Sequence, residues 1–463
     1  MRCSLKNYCQ FTALSSCIVL TIIYSVNIKT LNYVPVENRS ENPVCKWPPN
    51  TVEESCQWES GFDISICVRP DNNAFMNEGV KLYPIASLFK NATSEHGISF
   101  EDLAKLPRKI WRTVRYPEVY KTYPQDVPLR QIVKDIKAGK PVSFVIPKYN
   151  FPIRLLVTSK SVCHAGSKHD LVLVIKSSVF RWDVRNSFRE FMRLENKRYP
   201  SLNVGYVFSV GIPRQHGGRL FNRDGHVMNL TGPDGDQLEA FEGRAAEVME
   251  KLNEEIAIHD DIVMADYEDT YYNLTFKTVT NYRWMSAFCG AENVKLFMTM
   301  DDDHRVNLSM VDAFMKRIPE KKRRYSTFGY KADYDLAYRS PLKKWFLSYS
   351  EFPWDKMYPY LRGFAQIIGP GVVDDMAIGT AYTRYNYAPE DVFLGMVAYK
   401  LGIPIFNENS MFDHDLYVET NKEGRPAMVA LSKHSLIECG FYCCYSHISN
   451  NGVSSDNCKV QNS

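Results

Sequence analysis

The 463-residue chain carries almost no net charge: 56 Lys and Arg against 53 Asp and Glu leave +3 at pH 7. That balance leaves no global electrostatic case for nucleic acid as a partner. The run Lys321-Lys322-Arg323-Arg324 follows a helical pattern and a proline, and reads as a solvated loop or helix end sooner than as a polyanion site. No internal repeat and no low-complexity block is present, which excludes a solenoid or an array. Paired C-x-x-C knuckles are missing around Cys439, Cys443, Cys444 and Cys458, so disulfides are favoured over structural zinc there. Apolar residues are not scarce: 45% of the chain is hydrophobic and 13% aromatic, enough for one large core or two modest ones and too much for a disordered protein.

Charge is also missing from Asn7 to Ile28, a 22-residue stretch bounded by Arg2 and Lys6 on one side and Lys29 on the other. At about 1.5 Å per residue such a helix reaches roughly 30 Å, the thickness of a bilayer's hydrocarbon layer. An uncleaved signal anchor is the expectation, with the N-terminal cations in the cytosol. A cleaved signal peptide is the alternative, but no small-x-small cleavage site follows. The sequons at Asn38, Asn91, Asn229, Asn273 and Asn307 all lie beyond that segment, as a lumenal chain requires, and Asn38, Asn91 and Asn229 are the candidate glycosylation sites. Nine of the twelve cysteines also follow it and would mostly pair in an oxidising lumen.

Residues 30 to 97 are rich in Asn, Pro, Ser and Glu without helical or strand periodicity, and read as a stem. Between 100 and 147 short helical patterns such as Leu129 to Ala138 alternate with proline breaks. After Pro147 short apolar runs alternate with longer amphipathic ones, the signature of an α/β domain with parallel strands. Strands are expected at Leu171–Ile175, Val204–Val210, Asp261–Met264 and Val294–Met300, and helices at Trp182–Glu195, Leu238–Ile256 and Leu274–Phe288. The expected organisation is a tail at 1–6, a membrane segment at 7–28, a stem region at 29–147 and a catalytic domain at 148–463.

The last expected strand runs into Asp301-Asp302-Asp303, so three carboxylates collect where open α/β sheets bind ligands. Their mutual repulsion needs compensation, and a cation supplies it; an acidic turn capping the helix from Leu308 is the competing reading. Oxygen ligands of this kind suit Mg²⁺ or Mn²⁺ held jointly with a diphosphate. Glu390-Asp391 precede a helical run, Val392 to Leu401, and from local sequence alone are first-turn residues favoured by the helix dipole. A phosphohydrolase would need further His/Asp clusters for a second cation, and none is evident.

Met298-Thr-Met-Asp-Asp-Asp-His-Arg-Val-Asn resembles the acidic segment of the β1,3-galactosyltransferase and β1,3-N-acetylglucosaminyltransferase family, glycosyltransferase family 31. Asp260-Asp-Ile-Val-Met-Ala-Asp-Tyr-Glu-Asp-Thr-Tyr-Tyr-Asn-Leu-Thr-Phe-Lys-Thr is similar to a long and specific segment of that family. Pro389-Glu-Asp-Val-Phe-Leu-Gly, Lys400-Leu-Gly-Ile, Tyr360-Leu-Arg-Gly and Arg185-Asn-Ser-Phe-Arg-Glu resemble others, in the family's order. Departures are Met192 in place of a usual Trp, His304-Arg305 after the acidic triplet, and the segment 331–356.

The resemblance implies a GT-A-type α/β fold with a central mixed, mostly parallel sheet, a UDP-sugar donor, Mn²⁺, and inversion at the anomeric carbon. Asp303 and Asp301 would serve the metal, with Asp301 and Asp302 near the nucleotide. His434 would be a further metal ligand, with His414 its rival. Arg185 and Arg189 would meet the UDP, and Asp391, beside Glu390, would be the general base. The acceptor would be a glycan on protein or lipid, and the location the Golgi membrane, with the catalytic part lumenal. A catalytically inactive lumenal glycan-binding protein or chaperone of the same fold is the alternative.

Overall fold

The computed structural model describes residues 66–68, 127–142, 144, 153–163, 166–333, 335–349, 351–352, 355–384, 389–411 and 427–431. The expected membrane segment 7–28, Asn38, Asn91, His414 and His434 lie outside the described residues. Among those described, no helix is long and apolar enough to cross a membrane.

In chain order the elements begin with β1 (Ile66–Val68), α1 (Leu129–Lys137), β2 (Ile153–Val157), β3 (Leu171–Lys176), α2 (Trp182–Arg198) and β4 (Val204–Ile212). A hairpin of β5 (Leu220–Arg223) and β6 (His226–Asn229) follows, then α3 (Pro233–Ala240), α4 (Ala245–Ile258), β7 (Ile262–Glu268), α5 (Leu274–Phe288) and β8 (Phe297–Asp301). The remainder comprises β9 (His304–Val306), α6 (Leu308–Arg317), α7 (Glu320–Arg324), β10 (Thr327–Ala332), β11 (Tyr360–Ile368), α8 (Val373–Tyr382), α9 (Glu390–Leu401), β12 (Ile405–Asn407) and β13 (Val429–Leu431).

Nine strands form one sheet in the order β1-β2-β7-β4-β3-β8-β11-β10-β12. Five of its eight pairings are parallel, as the mixed, mostly parallel sheet of a GT-A-type fold requires. All six residues of β3 are buried, because helices cover both faces. Strand alternation divides them: Leu171, Leu173 and Ile175 pack with Phe188 and Met192 of α2 and Val248 and Leu252 of α4. Val172 and Val174 face the other way, toward Trp284 of α5, Ile378 of α8 and Val397 of α9. Met192 is fully buried in the first of these layers.

The core begins upstream of residue 148. Leu129, Ile132, Val133 and Ile136 of α1 are buried in the layer with α8 and α9, and β1 adds a parallel edge strand to β2. The single helix expected over Leu238–Ile256 is two, α3 and α4. Gly243 separates them at φ 74°, a left-handed conformation that ends a helix and that a Cβ disfavours. Asp224 and Gly225, at φ 47° and 79°, make the two-residue turn of the β5–β6 hairpin, and Asn229 is exposed at its end. Asn273 donates from its side chain to the Glu268 carbonyl and Asn307 caps α6, so both sequon asparagines beside the site serve the backbone.

The chain runs from β3 outward to β4 and β7 and then returns to the far side of β3 as β8. Strand order therefore reverses between β3 and β8, and a crevice opens at their carboxyl ends. The register places Lys176 beside Asp301 at that point.

Candidate active site

Lys176 ends β3 on the face turned toward α9, and its side chain is only 5% exposed. Its ammonium stands 2.9 Å from Asp301 Oδ1, 3.0 Å from Glu390 Oε1 and 2.9 Å from the Gly363 carbonyl. Burial opposes the charge, but the Asp301 and Glu390 carboxylates outweigh it and hold the amine protonated well above its ordinary range. One cation thus ties the acidic turn after β8 to the first turn of α9. The signal in sequence is a lone lysine closing an otherwise apolar strand, and the sequence reading passed over it.

The three aspartates divide by exposure. Asp302 turns inward, 3% exposed, where the Ser177 hydroxyl donates at 2.6 Å and Arg181 Nη1 lies at 3.0 Å. Burial pushes its carboxyl up to about 6 despite Arg181. Asp301 and Asp303 stay open to solvent, at 38% and 32%. His304 is buried beneath them, stacked on Phe364 at 5.3 Å, with Nδ1 2.5 Å from Asp303 Oδ1. Ligand atoms of Asp301, Asp303 and His304 lie within 4.8 Å of one another, which makes these three a possible metal site. His304, which directly follows the triplet, thereby joins the acidic turn. Arg305 supports the turn from behind, donating to the carbonyls of Asp302 and His304 at 2.9 and 2.8 Å. β13 pairs with β9 so that Leu431 faces His304; His434 lies three residues further, outside the described residues.

Asp391, at the start of α9, accepts from Gly363 N–H at 3.1 Å and Val392 N–H at 2.8 Å. Burial, and next the neighbouring Glu390 charge, push its carboxyl up to about 7. Two glycines permit this approach: a Cβ on Gly363 would sit 2.7 Å from Glu390 Oε1, and one on Gly395 would sit 2.6 Å from the Pro359 carbonyl. Gly395 is therefore a packing requirement between β11 and α9, because it meets backbone, whereas a Cβ on Gly363 would displace the Glu390 carboxylate.

A cavity of about 190 Å³ opens beside the acidic turn, bordered by Lys176, Arg181, Asp234, Tyr271, Asp301, Asp303 and Lys344 among others. Behind it Lys277 of α5 pairs with Asp269 at 2.7 Å and donates to the Ser177 carbonyl, while Asp269 also accepts from Gly211 N–H at 3.0 Å. That buried pair, 3% exposed on each side, accounts for Asp269 and Lys277 of the long segment: they lock β4, α5 and the loop after β3 together. Cys163 and Cys289 form a disulfide between the loop after β2 and the end of α5.

The structure does not bring Arg185 and Arg189 to the cavity. Arg185 is fully buried, forked onto Glu255 at 2.9 and 2.6 Å and bonded to Ser177 Oγ and the Ser178 carbonyl. Arg189 is held by Asp261 at 2.8 Å and Glu255 at 2.7 Å. The cations that do border the cavity are Lys176, Arg181, Lys277 and Lys344.

Residues 242–409 match the family model described as Galactosyltransferase. Beta-1,3-galactosyltransferase 5 of Pan troglodytes is 31% identical over 176 residues, 36% of this chain and 57% of that protein. The Homo sapiens protein of the same name is 31% identical over 176 residues, 54% of its length. Beta-1,3-galactosyltransferase 1 of Mus musculus is 31% identical over 245 residues, 53% of this chain and 64% of that protein. The match thus spans between half and two thirds of these relatives.

Proposed function

We propose that this chain, whose residues 242–409 match the galactosyltransferase family model, is an inverting UDP-hexosyltransferase, moving galactose or an N-acetylhexosamine in β1,3 linkage onto a glycan acceptor. The observation that carries this reading is the convergence of the acidic turn and the Glu390-Asp391 pair on Lys176 at the strand-order reversal.

Two open carboxylates and an imidazole suit Mn²⁺, which Asp303 would hold with Asp301 and His304; His434 is the further ligand that the family resemblance implies. When bound, the cation neutralises the diphosphate leaving group. Arg181 and Lys344, on the cavity wall, would meet the same anion. Asp391 takes the proton of the acceptor hydroxyl as that oxygen attacks the anomeric carbon from the face opposite UDP. A carboxyl raised to about 7 accepts a proton better at neutral pH than an ordinary one does. Glu390 and Lys176 act on it by position and charge. The reading includes a Golgi membrane location, with residues 7–28 as the anchor and the catalytic part in the lumen.

The test is turnover of UDP-galactose, UDP-N-acetylglucosamine and UDP-N-acetylgalactosamine by the purified protein with Mn²⁺. Release of UDP from at least one donor, increased by a saccharide acceptor, is expected. Metal-independent binding of glycans with no turnover of any donor would instead indicate a lectin.

A further inference from the structure

The connection between β10 and β11, outside the family-like motifs, is firmly built. Met357 N–H donates to the Asp335 carbonyl at 2.7 Å, Ala337 N–H to Asp355 at 2.9 Å and Leu347 N–H to Tyr338 at 2.8 Å. Arg339 grips the carbonyls of Leu347, Ser348 and Phe352 at 2.8, 3.0 and 2.9 Å, and Phe346 and Leu347 are buried. On this ordered base Leu336, Tyr338, Leu342 and Trp345 are 68, 45, 91 and 40% exposed. Four of the nine exposed large hydrophobic residues among the described residues thus fall within ten positions. Holding apolar side chains in water on a fixed frame is unfavourable, and a concentration of them marks a binding surface.

Its position says for what. The Tyr338 and Trp345 rings lie 5.4 Å apart at 40°. Lys344 Nζ sits 5.3 Å from the Trp345 ring and 4.7 Å from the Tyr271 ring, and both Lys344 and Tyr271 border the cavity. The aromatic pair is therefore continuous with the cavity rim through one lysine. A neutral pyranose has an apolar C–H face and a rim of hydroxyls, which match an aromatic surface carrying a phenol and an indole N–H.

We propose that Tyr338 and Trp345 form the stacking platform for the saccharide acceptor, an inference that rests on the transferase reading and names the acceptor side of that same site. The platform belongs to the segment where this chain departs from its family, so acceptor choice is set there while the donor machinery is shared.

The experiment compares wild type, Trp345→Ala, the double variant Tyr338→Ala/Trp345→Ala and Trp345→Phe. Methyl glycosides of galactose, N-acetylglucosamine and N-acetylgalactosamine serve as acceptors, and UDP with Mn²⁺ as the donor-side binding probe. The double variant should raise acceptor KM roughly tenfold with kcat and donor KM little changed, and Trp345→Phe should restore most of the affinity. Unchanged acceptor KM overturns the proposal, as does wild type that hydrolyses donor but uses none of the glycosides. So does quenching of Trp345 fluorescence by bilayers of brominated phosphatidylcholine, read as wild type minus Trp345→Phe, which would place the platform against lipid. If wild type neither binds UDP with Mn²⁺ nor hydrolyses any donor, the transferase reading itself has failed, and this inference with it.

Discussion

Lys176→Met is the most informative single change. The methionine fills the same space but removes the one charge shared by Asp301, Glu390 and the Gly363 carbonyl. Asp301 is 38% exposed, so water screens its loss and that contact contributes little. Glu390 is 12% exposed and is left with its charge uncompensated. Breaking a buried pair on one side costs about 3–5 kcal/mol, and the screening of Asp301 puts the expected loss at the lower end, about 3 kcal/mol. At about 2 °C per kcal/mol for a large domain, the melting point should fall roughly 6 °C. Removing a cation beside Asp301 also makes the metal turn more negative, so Mn²⁺ should bind at least as tightly as to wild type. Turnover should fall, because Glu390 no longer holds Asp391's surroundings in place. Calorimetric melting, Mn²⁺ titration and UDP-sugar turnover measure the three effects. Wild-type stability together with wild-type turnover would refute the role given to Lys176.

Other outcomes follow from the same geometry. Asp391→Asn should lower turnover by about 10² to 10⁴ while UDP binding persists, and the rate of wild type should rise with pH through about 7, as Asp391 ionises, a limb the variant lacks. Asp302 and Asp391, raised to about 6 and about 7, bind more protons folded than unfolded across the window between the ordinary carboxylate range and those values. Their contribution to stability therefore falls as pH rises through it, and Asp302→Asn should flatten that part of a melting-versus-pH profile of the metal-free protein. Gly363→Ala should lower turnover by driving a methyl against the Glu390 carboxylate and displacing it from Lys176. Cys163→Ser should cost about 2–5 kcal/mol in denaturant melts without altering UDP binding.

What was legible in the sequence was what local pattern determines. The all-apolar run of β3 and the amphipathic α2 declared themselves, and Leu274–Phe288 is a helix over the expected span, because burial on both faces or on one stripe imposes a period. The Asp224-Gly225 hairpin turn was readable and was missed; so was Gly243, whose left-handed φ divides a helix that periodicity alone would continue. What pattern could not carry were contacts across long separations. Nothing local marks Lys176 as the partner of Glu390, 214 residues away. Arg185 and Arg189 look like ligand-facing cations at a helix start, yet Glu255 and Asp261, some seventy positions on, claim them. The acidic triplet likewise gave no hint that Asp302 turns inward to Ser177 and Arg181 while Asp301 and Asp303 stay open beside His304.

The central claim is that the open carboxylates of the acidic turn and the Asp391 carboxyl work on one UDP-sugar. Its most direct test is UDP release from UDP-galactose, UDP-N-acetylglucosamine and UDP-N-acetylgalactosamine by wild type, Asp303→Ala and Asp391→Asn, after stripping with EDTA and again after adding Mn²⁺. The account predicts that stripping silences wild type, that Mn²⁺ restores it, that Asp303→Ala loses Mn²⁺-supported UDP binding, and that Asp391→Asn keeps this binding without turnover. Equal UDP release with and without metal, or an Asp391→Asn protein as fast as wild type, would contradict it.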